Sequence, residues 1–74
     1  MDEKEFLRNV DRGVFIRAEG SGPDIRVKYA LRKDRSIIYR LPLEGMDLRE
    51  AVHGLAMEGC AVYPEELRNY LCAK

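Results

Sequence analysis

Between Asp24 and Leu41 the chain alternates. Ile25, Val27, Tyr29 and Leu31 are interleaved with Arg26, Lys28, Ala30 and Arg32, the period-two pattern of a strand with one face buried and one face wet. A polar turn at Lys33, Asp34 and Arg35 follows. The return strand then sets Ile37, Tyr39 and Leu41 on one side and Ile38 and Arg40 on the other. Upstream, Val14, Ile16 and Ala18 alternate with Phe15, Arg17 and Glu19 and read as a first strand, joined to the hairpin by the turn-forming run Glu19 to Asp24.

The flanks switch to helical spacing. Phe6, Leu7 and Val10 share one side of a segment with acids in its first turn and Gly13 available to end it, which predicts a helix from Glu3 to Asp11. Asp47 is placed to cap a second helix, Leu48 to Glu58, with Glu50 as its capping-box partner. Leu48, Ala51, Val52, Leu55 and Ala56 form its buried stripe, and Gly59 stands at its stop. Tyr63-Pro64-Glu65-Glu66 reads as a restart, with Pro in the first turn of a helix from Glu65 to Cys72. The expected fold is α+β, in the order α-β-β-β-α-α, with a three-stranded antiparallel β-meander packed with helices mainly on one face. Its expected core is Phe6, Val10, Ile16, Val27, Tyr29, Ile37, Tyr39, Leu48, Val52, Leu55 and Leu67.

Length bounds this picture. At 74 residues, 46% hydrophobic and 35% charged, residues 1–74 make one small folded domain, near the size where a single core barely suffices and self-association helps. No run is apolar enough to cross a bilayer, and Met1-Asp2-Glu3-Lys4-Glu5 lacks the order of a secretory signal, so the expected compartment is the cytoplasm, with no membrane partner. Cys60 and Cys72 are too few for a disulfide framework and have no metal-ligand spacing; both are expected as free thiols.

Formal net charge is zero, which argues against strong non-specific attraction to nucleic acid or membrane. The average hides a segregation, because residues 12 to 40 hold eight Lys or Arg against three acids while both flanks are net acidic.

Catalytic chemistry finds little material. There is one histidine, no threonine, and serine only at Ser21 and Ser36 in expected turns, so no nucleophile stands beside a base. His53 falls off the apolar stripe of its helix and is expected in solvent; with Cys60 and Cys72 it makes three unpaired ligands at best, so no metal or other cofactor is expected. The sequence reads as a non-enzyme.

The informative set is the outward sheet face, where Phe15, Arg17, Arg26, Lys28, Ile38 and Arg40 combine cations with two large apolar groups. This composition predicts a non-catalytic binding module of adaptor, inhibitor or regulator type that engages a protein partner or a second copy as a homodimer. The alternative is a nucleic-acid-binding domain using the same face.

In element order, Glu3 to Gly59 resembles the α-β-β-β-α arrangement of double-stranded-RNA-binding domains, including the Ser21-Gly22-Pro23 turn between the first two strands. Those domains place lysines at the start of the helix after the sheet, whereas Glu44, Asp47 and Glu50 stand there in this chain and would repel a phosphate backbone. The resemblance is one of topology. A helix-turn-helix comparison over Leu48 to Leu71 meets the same objection, since its recognition helix would lead with Pro64-Glu65-Glu66.

Overall fold

The computed structural model describes residues 2–20 and 22–65. Helix α1 (Glu3–Asn9) starts on Asp2, whose carboxylate accepts a hydrogen bond from the Glu5 N–H at 2.8 Å. It ends earlier than predicted: Val10 is already extended, and Gly13 lies within strand β1 (Arg12–Glu19) rather than at the helix stop. A short 3₁₀ turn (Gly22–Asp24) leads to β2 (Arg26–Asp34), which returns through Arg35 and Ser36 as β3 (Ile37–Leu41). Arg35 takes a positive φ of 59°, and its N–H donates to the Asp11 carbonyl at 2.7 Å, tying the hairpin tip to the α1–β1 connection.

Helix α2 (Leu48–Met57) is capped as expected. The Asp47 carboxylate accepts from the N–H groups of Arg49 at 2.9 Å and Glu50 at 3.3 Å, and Gly59 follows the helix with a positive φ of 83°. Just before α2, backbone bonds from Val27 to Met46, Gly45 to Val27 and Leu48 to Ile25 close the chain onto the first part of β2. That segment takes over the flank of β2 which β3 leaves at Leu41.

The expected three-stranded meander is corrected by a fourth strand. β4 (Val62–Pro64) pairs parallel with β1, giving a mixed sheet in the order β3-β2-β1-β4. Val62 and Tyr63 suit a strand better than a helix start, and Pro64 is tolerated because the next residue, Glu65, donates to the Ile16 carbonyl at 2.8 Å. In the alternation of a ladder, Pro64 then occupies the position whose missing N–H would face away from β1. Gly13 gives β4 its room, since a Cβ there would lie 2.6 Å from Cε2 of Tyr63. The remainder of the predicted Glu65 to Cys72 helix, with Leu67 and Cys72, lies outside the described residues.

Helices cover both faces of the sheet, not mainly one. On one face Val14, Ile16, Ile25, Val27 and Ala30 pack with Leu48, Ala51 and Leu55 of α2; on the other, Phe15 packs with Phe6 and Val10, flanked by Leu7, Tyr29, Leu31 and Tyr63. A β-bulge explains how one alternating strand serves two cores. Arg17 opposes Tyr29 and Ala18 opposes Val27, so Lys28 is an extra residue, and the bulge turns Tyr29 and Leu31 to the face opposite Ile25 and Val27.

Candidate interaction surface

The ladder fixes which backbone groups remain available at the β3 side. Val14 donates to the carbonyl of Ala61, the residue just before β4, so Gly13 and Phe15 are the β1 residues that face β2, and their partners Lys33 and Leu31 face β1. Ala30, Arg32 and Asp34 therefore face β3, and they pair with Leu41, Tyr39 and Ile37. By the same alternation the N–H and C=O groups of Ile38 and Arg40 point outward, along an edge with which no strand pairs among the described residues.

Side chains on this edge are also uncovered. Ile37 is 61% exposed, Ile38 47% and Tyr39 46%. Ile37 and Tyr39, expected in the core, are corrected to the surface: they keep the predicted parity, but α2 reaches only the β1–β2 part of its face. Three successive large apolar residues carried a legible signal, because any strand must put at least one of them on each face.

The six residues singled out from the sequence do not form one open surface. Phe15 is corrected outright: it is 0% exposed beneath α1, its ring centroid 5.6 Å from that of Phe6 and 6.3 Å from that of Tyr29. Arg17 and Arg40 converge on Tyr29 from β1 and β3. Arg26 and Lys28 are exposed but lie toward the other end of β2, at and beyond the bulge. Ile38 and Arg40 combine the expected exposure with a place on the β3 edge.

Around Tyr29 the polar groups satisfy one another. Its hydroxyl donates to the Glu3 carboxylate, and this bond, then burial, raises its pKa above the ordinary value. The Arg17 guanidinium is held further toward its charged form, first by its hydrogen bond to Tyr29 and then by Glu65, whose carboxylate lies 3.2 Å from Nε. Arg40 stands over the Tyr29 ring at 5.1 Å, beside a shallow hollow lined by Leu41, Pro42 and Glu44. Lys33 donates to the Leu7 carbonyl, and Arg12 pairs with Asp34 at 3.1 Å. Several cations of the basic segment are thus spent on internal contacts.

Among the described residues none that is polar or charged is buried, and no group of three His, Cys, Asp or Glu is placed to hold a metal ion. His53 is exposed, and Cys60 is a half-buried free thiol. No helix of the described residues is long and apolar enough to cross a membrane. Comparison with protein-family models, curated proteins and solved structures returns no match, so the site is read from its geometry alone.

Proposed function

We propose that this chain is a non-catalytic interaction module that engages a protein partner through the β3 side of its sheet. The observation that carries the reading is the run Ile37-Ile38-Tyr39, three large apolar side chains exposed together on an edge strand. Fully burying one such side chain is worth about 1.5–3 kcal/mol, so the run holds substantial association energy that the isolated chain leaves unused. Arg40 and Ile38 remain from the sequence-derived set, and Ile37 and Tyr39 join them; Phe15 does not, and Arg26 and Lys28 are peripheral.

Protein is favoured over nucleic acid because the exposed apolar groups Ile37, Ile38 and Tyr39 have no counterpart in a phosphate backbone. The test compares the wild type with a variant carrying Ser at positions 37, 38 and 39, after circular dichroism shows that the variant is folded. Affinity capture from the native host should retain proteins with the wild type that the variant loses. Identical retention by both would refute the reading. A salt-sensitive gel shift of a short duplex, unaffected by the triple change, would return the function to nucleic acid.

A further inference from the structure

Four features coincide at β3: an edge unpaired among the described residues, two outward backbone donor–acceptor pairs, apolar side chains on both faces, and local positive charge. We infer that the β3 edge receives an extended acidic segment of a partner protein as an additional strand, hydrogen-bonded to the backbone of Ile38 and Arg40. This mode rests on the interaction-module reading and specifies its partner.

The pairing follows from the ladder. Ile38 and Arg40 present N–H and C=O groups outward, the arrangement through which an edge strand accepts another. An incoming strand alternates, so residues that lie against Ile37 and Tyr39 on the α2 side are apolar, and those beside Arg40 on the α1 side are acidic. The Tyr29 ring holds Arg40 in place by its face, and no hydrogen-bonded or ion-pair partner occupies that guanidinium among the described residues. A carboxylate is the matching acceptor.

Charge also selects between occupants. Arg32, Lys33, Arg35 and Arg40 lie on β3, on the adjoining strand or at the turn, and the one acid between positions 32 and 41, Asp34, is already paired with Arg12. Two copies joined edge to edge through β3 would bring eight cations along one seam, with both Asp34 carboxylates committed. Like charges in that arrangement oppose pairing, as lysines on natural edge strands do. An acidic strand meets the same field as attraction, which favours it over a second copy.

The probe is a fluorescein-labelled peptide, Val-Glu-Val-Glu-Val-Glu, with its Lys-for-Glu twin as control, titrated by fluorescence polarisation against wild type, Arg40→Ala and Arg40→Pro. The acidic peptide should bind and its twin should not. Proline at position 40 removes an outward donor, which an edge strand tolerates, so Arg40→Pro should bind about tenfold more weakly than Arg40→Ala, the loss of a backbone hydrogen bond.

Equal binding by the two variants would overturn strand addition while leaving the module reading intact. Equal binding of the two peptides would overturn the charge selection, and self-association of the wild type that excludes the peptide would replace the partner with a second copy. If Arg40→Pro does not fold, amide exchange decides on the wild type: saturating peptide should slow the Ile38 and Arg40 amides selectively, and unchanged rates would overturn the proposal. Loss of the module reading itself is distinguished by the triple-serine comparison, which needs no peptide.

Discussion

Replacing Phe15 with Ala removes the ring at the centre of the α1-side core, and Ile38→Ser removes a large apolar group from the β3 edge. Phe15 is fully buried and contacts the Phe6 and Tyr29 rings. Its transfer from water contributes about 1.5–3 kcal/mol, each ring pair adds about 0.5–1.5 kcal/mol, and the cavity left behind prevents recovery. The expected loss is therefore about 3–5 kcal/mol. A domain of 74 residues holds about 4–11 kcal/mol in all, so the loss removes from about a quarter to all of its stability. Ile38→Ser, half-exposed on an edge, should stay within about 0.5 kcal/mol of wild type. Urea denaturation followed by circular dichroism reads both, with Phe15→Leu as a milder companion should Phe15→Ala not fold. Equal midpoints for the Phe15 and Ile38 variants would refute the two-sided core, because they would place both side chains in the same environment.

Asp47→Ala should lower stability by about 0.5–2 kcal/mol through loss of the α2 cap, and an unchanged melting midpoint would remove that role. Stability should also fall at alkaline pH. The folded pKa of Tyr29 is raised, first by the hydrogen bond to Glu3, so its contribution is complete below the ordinary value near 10 and is lost as pH rises through the folded value. Melting the wild type and Tyr29→Phe across that range should show a steeper alkaline decline in the wild type; parallel curves would exclude Tyr29 as the source.

What was legible in the sequence were the features decided by neighbours in the chain. Asp47 and Gly59 bound α2 because a cap and a stop act within one turn, and the β1–β2–β3 hairpins follow from alternation separated by short turns. The misses all depend on distant segments. Nothing local at Lys28 announces a bulge, yet that extra residue moves Tyr29 and Leu31 to the opposite face and makes a second core possible. Alternation places Phe15 opposite Ile16 and so predicts it in solvent; α1 supplies Phe6 and Val10 to that second face and buries it. Tyr63-Pro64 carries a helix-start signature that loses to an open β1 edge, a competitor visible only after folding. For the proposed surface, charge and apolarity single out Ile38 and Arg40 on β3, but the edge position that exposes Ile37 and Tyr39 is a property of the whole sheet order.

The parallel β1–β4 pair also bears on the order in which the molecule assembles. The two hairpins bring together residues close in sequence, while Val14–Val62 and its neighbours join segments roughly fifty positions apart, a loop whose closure opposes pairing by about 3 kcal/mol of chain entropy. Contacts of such long reach form late unless the ends are already held near each other. Docking of α2 on Val14 and Ile16 does that holding, because the helix runs through Gly59 directly toward β4. The α2 face thus shortens the effective loop, and the expected order is pairing of β4 after the hairpins and that helix are in place.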